Sequence, residues 1–260
     1  MLGAIIGDII GSRFERFNYK AKDFVLFDEK CKMTDDSVLT LAIAEAFINK
    51  ADYADTLKKY ARQEPLAGYG GSFMSWVDKD SKEPYNSWAN GSAMRVSSLA
   101  WLINDYDELM LEAKKSAEVT HNHPEGIKGA QAIAAAIFHA RQKCTKDQIK
   151  NRISTAFGYD LNQTVEWLVE NYQFDVSCAG SVPQAIICFL ESKNFEDCLR
   201  TAISIGGDSD TIASMACAIA EAYYAEIPTE LEEYAKEHIL KKDIYIKAFN
   251  LFYDKYFEEV

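Results

Sequence analysis

An all-helical fold is predicted by three features of the sequence. Apolar side chains recur at three- and four-residue intervals through most of the chain. One short run, Phe24-Val25-Leu26-Phe27, has strand character, and no Gly/Ser- or Pro-rich linker divides the 260 residues. Together they predict a single domain over 1–260, built as a compact orthogonal bundle of many helices. The strand-helix alternation of a nucleotide-binding α/β fold is missing.

Composition narrows the function classes. A hydrophobic share of 48% suffices for a sizeable core. Lys and Arg total 28 against 40 Asp and Glu, a net charge of -12, which argues against a broad basic face for nucleic acid. Phosphates would have to be bound locally, through metal ions or backbone N–H groups. The six cysteines show no CxxC pair or zinc-knuckle spacing and read as reduced, buried thiols. The apolar start MLGAIIGDIIGS has no basic leader, contains Asp8, and is shorter than the roughly 18 apolar residues of a membrane span. The expectation is a cytoplasmic protein that stays off the membrane.

Taken in order, Leu2, Ile5, Ile6 and Ile9 share one face of a first helix, while Gly3, Gly7 and Gly11 let another backbone approach closely. Asp8 there reads either as a buried group that orients a ligand or as a capped polar residue near the helix end. Gly11-Ser12 breaks the helix and Arg13-Phe14-Glu15-Arg16 leads into a loop. Thr34-Asp35-Asp36-Ser37 opens a second helix, predicted over 38–48 from the spacing of Leu39, Ile43, Ala46 and Phe47. A short helix over 54–62 is followed by the glycine loop 68–72 and a polar, aromatic-dotted surface loop over 78–91. Helices are then predicted over 92–103, 107–119, 127–142, 146–156, 162–171, 182–191, 195–205, 209–225 and 229–238, with an aromatic tail over 244–257 that reads as core or dimer surface. In the helix after Gly206-Gly207, residues Ile212, Met215, Ala216, Ile219 and Tyr223 make one apolar face, and Asp208 or Ser209 stands at its start as a cap.

Two acidic clusters thus lie at two helix starts. Asp35, Asp36, Asp208 and Asp210, with the hydroxyls of Thr34 and Thr211, form an all-oxygen set suited to hard divalent cations, magnesium or manganese before zinc. Helix capping explains acidic helix starts as well, since a carboxylate there offsets the macrodipole. Spacing alone leaves both readings open. His121-Asn122-His123, without a cysteine partner, is a better structural or substrate-stacking element than a metal site.

Five stretches stand out together: Gly7-Asp8 with Gly11 and Phe14-Glu15, Thr34-Asp35-Asp36-Ser37, Asn90-Gly91-Ser92-Ala93-Met94-Arg95, Thr120-His121, and Gly206-Gly207-Asp208-Ser209-Asp210-Thr211. In these the chain resembles the ADP-ribosylglycohydrolase family. They keep the family's order and span nearly the whole chain. The resemblance implies an all-helical fold with a dimetal site between helix N-termini: two divalent cations, Mg2+ or Mn2+, held by Thr34, Asp35, Asp36, Asp208, Asp210 and Thr211, with Asp210 bridging. It places the family's acidic loop residue at Glu15, with phosphate and ribose contacts from Gly68, Gly70, Gly71 and Ser72 and from Ser87, Trp88, Asn90 and Gly91. His121 lines the nucleotide side. Two positions depart from the pattern: Arg13 replaces a small apolar residue, and Trp88 stands where a tyrosine is frequent.

The implied activity is metal-dependent hydrolysis of the glycosidic bond between ADP-ribose and an acceptor. Glu15 is the candidate for proton transfer and Asp35 its competitor. The substrate would be an ADP-ribosylated protein or small molecule, and the acidic chain favours a cationic arginine acceptor. A hydrolase of free ADP-ribose derivatives or another ribosyl compound is the first alternative, and a non-catalytic ADP-ribose-binding protein the second. The intact clustered aspartates count against the latter, because unneutralised like charges are costly.

Overall fold

The first helix, α1 (Leu2–Gly11), is buried along its whole length and apolar apart from Asp8. In the structure, a computed structural model that describes residues 1–259, α1 runs through the centre and packs most extensively on α12 (Ser209–Tyr224). The glycine repeat makes that crossing possible. A Cβ at Gly7 would stand 2.3 Å from the Ala213 carbonyl oxygen, and one at Gly11 would stand 2.6 Å from the Asp210 Cα. Backbone therefore meets backbone, and Asp8 comes beside the start of α12.

Among the described residues there are fourteen α-helices and one 3-10 turn, with no strand. The others are α2 (Asp35–Ile48), α3 (Tyr53–Gln63), α4 (Gly71–Val77), α5 (Ser97–Leu102), α6 (Tyr106–Glu118), α7 (Pro124–Arg141), α8 (Lys146–Phe157), α9 (Val165–Asn171), α10 (Cys178–Glu191), α11 (Phe195–Ser204), α13 (Thr229–Ile239) and α14 (Asp243–Glu259). The 3-10 turn is Asn90–Ser92. The helices α2, α7, α10 and α11 close around the α1–α12 pair. The aromatic tail is core: α14 packs on α2 and α5, with Tyr245 and Phe252 buried.

Several expectations are corrected. Residues 24–27 form no strand, because no second strand is there to pair with them. Their backbone is held instead by guanidinium groups: Arg200 Nη1 donates to the Lys22 and Phe24 carbonyl oxygens (2.9 and 2.8 Å), and Arg13 donates to that of Val25. Helix α2 starts at Asp35 instead of residue 38, so both aspartates lie in its first turn, behind the Thr34 cap. Helix α10 starts at Cys178 because Ser177 caps it, and Pro183 is accommodated inside. The helix predicted over 92–103 is split into the 3-10 turn and α5, and Gly71 and Ser72 belong to α4 rather than to the loop. All six cysteines are free and buried. Among the described residues, no helix is long and apolar enough to cross a membrane.

Candidate active site

The segment between α11 and α12 turns through Gly206 (φ +70°) and Gly207 (φ +75°), a left-handed conformation that side chains with a Cβ rarely adopt. Asn18 Oδ1 accepts the Gly207 N–H at 3.1 Å and fixes the turn. Asp208 follows at the N-cap position of α12, yet its carboxylate does not cap the helix. It accepts a 2.6 Å hydrogen bond from the Asn90 side chain instead. Capping therefore does not explain Asp208, and Asn90 serves as its anchor at the cavity wall.

Helix α1 supplies the other anchor. Asp8 Oδ1 accepts the Thr34 hydroxyl at 2.5 Å, while Oδ2 accepts the backbone N–H of Thr34 (2.9 Å) and of Ser37 (3.1 Å) as well as the Ser37 hydroxyl. Four donors pin the start of α2 against α1. On that start, Asp36 Oδ2 accepts the Thr211 hydroxyl at 3.1 Å, which joins the two acidic segments directly. Segments 173 residues apart by number thus converge, as Asp35 and Asp208 both line one cavity of about 350 Å³.

Its electrostatics are those of crowded carboxylates. Asp8, Asp36 and Asp210 each offer an oxygen within 4.8 Å of the others, a set able to hold a metal ion. Burial holds the Asp36 and Asp210 carboxyls well above the usual range, reinforced at Asp36 by the Asp210 charge and at Asp210 by the Asp208 charge. Burial, reinforced by the Asp8 charge, pushes Asp35 up to about 7. Burial likewise raises Asp208 to about 6, with the Asn90 hydrogen bond opposing the shift and the Glu15 charge adding to it. Asp36 Oδ1 is buried without a hydrogen-bond partner among the described residues, the orphaned donor atom that a cation would satisfy.

The cavity collects most of the residues singled out in the sequence. Thr34, Asp35, Asp36, Asp208, Asp210 and Thr211 line it together with Glu15, Gly68, Gly70, Gly71, Ser72, Ser87, Asn90, Gly91 and His121. Glu15 is half-buried in the turn after α1 and makes no hydrogen bond or ion pair with the described residues. Trp88 is not brought in: its indole is 59% exposed, edge-on to His123. His123 caps α7 by accepting the Glu125 N–H at 3.1 Å, and Asn122 Oδ1 accepts the Asn86 N–H at 2.8 Å, so the His-Asn-His run is structural outside His121. Arg13 turns away from the cavity, paired with Asp28 at 2.6 Å and lying over the Phe14 ring.

Other lining residues carried no sequence signal. Phe174 and Val176, both strongly exposed, lie in a segment without periodicity, and Tyr85, Arg16 and Lys32 come from loops. Asp8 did carry one, as a lone charge in an apolar helix, but its four donors could not be foreseen.

The sequence profile of the ADP-ribosylglycohydrolase family matches residues 1–254. The chain belongs to the ADP-ribosylglycohydrolase family. Relatives include the ADP-ribosylhydrolase ARH3 of Gallus gallus, 27% identical over 90% of this chain and 87% of its own length. The ADP-ribosylhydrolase ARH3 of Homo sapiens is 27% identical over 86% of this chain and 84% of its own. A solved structure described as an ADP-ribosylglycohydrolase-related protein complex superposes with a TM-score of 0.71 at 20% identity, covering 98% of this chain and 96% of that one, and shares the fold.

Proposed function

We propose that this protein is a metal-dependent hydrolase that releases mono-ADP-ribose from a side-chain acceptor. The observation that carries the reading is the convergence of both acidic helix starts with Glu15 and the glycine segment 68–72 on one cavity. Family membership supports the ADP-ribose linkage as the bond attacked.

The donor set fits two divalent cations, Mg2+ or Mn2+. It is all oxygen, and Asp36 keeps a buried, unpartnered oxygen. We assign Thr34, Asp35, Asp36, Asp208, Asp210 and Thr211 as the ligands. Asp8 is left out of this assignment: its carboxylate accepts four donors, one at Oδ1 and three at Oδ2, and acts by holding Thr34 and Ser37 in place. Bound cations in such a set supply charge neutralisation and polarise the oxygens they meet.

The chain's own groups do the rest. Glu15, unpaired at the cavity wall, is the proton-transfer group, acting on the leaving atom or on the attacking water. Asp35 is its competitor, since a carboxylate that would hold a cation would also stand beside the water that cation polarises. The carboxylates around the cavity favour the positive charge of an oxocarbenium-like transition state. Backbone N–H groups of 68–72 and the start of α4 offer donors to the diphosphate, with Ser87, Gly91 and His121 across the cavity.

For the acceptor, an arginine N-glycoside comes first on charge, since the protein carries -12 overall and carboxylates dominate the site. A serine O-glycoside is the second reading, favoured by Arg16 and Lys32, two cations that line the same cavity. Free, buried cysteines accord with a reducing cytoplasm. The test is incubation with magnesium and two matched peptides, ADP-ribosylated on arginine or on serine, with free ADP-ribose followed by mass spectrometry. Release from the arginine peptide is expected. Release from serine alone moves the assignment to the second reading, and release from neither favours a hydrolase of free ADP-ribose derivatives.

A further inference from the structure

At the His121 wall of the cavity, Arg95 is fully buried. Its Nη2 donates to the Ser116 carbonyl oxygen at 3.0 Å and to Thr120 Oγ1 at 2.8 Å. A guanidinium only donates, so the Thr120 oxygen accepts that bond and directs its single proton elsewhere. Two acceptors are in range, the Ala117 carbonyl oxygen at 3.5 Å and His121 Nδ1 at 2.7 Å. The Ala117 oxygen already accepts the backbone N–H of Thr120 (3.1 Å) and of His121 (2.8 Å), which fill its two lone pairs. Its distance from the hydroxyl also exceeds the usual O–H···O range of about 2.5–3.0 Å. The hydroxyl proton therefore goes to Nδ1.

A ring that accepts at Nδ1 must carry its own proton on Nε2. Burial and the Arg95 charge push the His121 ring well below its ordinary range, so the imidazole takes up no second proton. The Nε2 edge faces the 3-10 turn: a Cβ on Gly91 would lie 3.1 Å from Nε2. A side chain at that position would crowd the ring edge beside the cavity that both residues line.

We propose that Arg95 and Thr120 are positioning residues that lock His121 as the neutral Nε2–H tautomer, giving the cavity one fixed donor for an oxygen or an unprotonated ring nitrogen of the ligand. The chain Arg95 to Thr120 to His121 runs one way only, because its first member cannot accept. His121 is thereby barred from acting as a base at Nδ1. A ligand that presents a donor at this point leaves two donors facing each other and is rejected. The ligand's identity as ADP-ribose rests on the function proposed above, whereas the tautomer does not.

Long-range proton–nitrogen NMR on the full chain reads the tautomer directly, with the His121 signals assigned by their loss in His121→Gln. Wild type is expected to show a protonated Nε2 and a bare Nδ1. Thr120→Val, which removes the proton donated to Nδ1, is expected to mix the tautomers and to weaken ADP-ribose binding about 3- to 10-fold, the worth of one hydrogen bond. Thr120→Ser keeps the hydroxyl and is expected to restore the Nε2–H signal and to recover the lost affinity. A protonated Nδ1 in wild type overturns the proposal, as does an unchanged spectrum in Thr120→Val. If that variant fails to fold, the wild-type spectrum decides alone. A locked Nε2–H in a protein that does not bind ADP-ribose would uphold the lock and sink the assigned ligand.

Discussion

Asp36 is the side chain whose surroundings most call for a cation: one oxygen takes the Thr211 hydroxyl, and the other is buried without a partner beside Asp210. Removing a single charge from this group should remove the attraction that holds the metals. Asp210→Asn is therefore expected to abolish magnesium or manganese binding and activity while the helical circular dichroism stays unchanged; unchanged calorimetric binding would contradict the assignment. Glu15 differs, lining the cavity with no hydrogen-bond partner among the described residues. Glu15→Gln is expected to lower kcat by roughly 10²- to 10⁴-fold with metal binding largely retained, and a near-wild-type rate would pass the role to Asp35. The raised carboxyls set the pH dependence. In the metal-free protein, Asp35 at about 7 and Asp208 at about 6 hold protons that the unfolded chain would release nearer 3.8. Their contribution to stability is thus present below the unfolded value and is lost as pH rises through the folded values. Cation affinity runs the other way, because metal competes with protons. Calorimetric titration should show magnesium affinity rising steeply between about pH 5 and 8; a flat profile would contradict the assigned ligands.

At the scale of the element, the α1–α12 crossing decides whether Asp8 and Asp210 meet. A methyl on Gly7 would sit against the backbone of Ala213, where nothing flexible can give way. Gly7→Ala is expected to cost about 1–3 kcal/mol despite the better helix propensity of alanine, read as a lower Tm, with a weaker metal site. A gain in Tm would show that the helices are not in backbone contact. This packing was legible in the sequence, because glycine weakens a helix, and one at every fourth position of an apolar helix is tolerated where a second backbone closes in along that stripe. The start of α2 was less so. Periodicity marks where apolar residues begin, at Val38, whereas the helix begins at Asp35 because Thr34 caps it under the hold of Asp8. Residues 24–27 show the converse: β-type side chains favour a strand only where a partner strand exists, and here two arginines donate to backbone carbonyls of this segment.

Over the whole molecule, the sequence disclosed the chemistry and concealed its delivery. Both acidic clusters and the glycine segment could be named from residue type, and Glu15 from the family resemblance. That Asn90 would hold Asp208, that Trp88 would stand outside the cavity, and that Phe174 would edge it depend on how separate loops meet. A molecule that crowds buried carboxylates around one cavity should gain stability from the cations it binds. Saturating magnesium at pH 8 is expected to raise Tm, and chelation to lower it again, in wild type but not in Asp210→Asn. The most direct measurement is a crystal structure with manganese and ADP-ribose, the metal located by its anomalous scattering. Two manganese peaks are expected between Thr34-Asp35-Asp36 and Asp208-Asp210-Thr211, with the anomeric carbon of ADP-ribose facing Glu15. Manganese absent from those residues, or ADP-ribose bound elsewhere, would contradict the account.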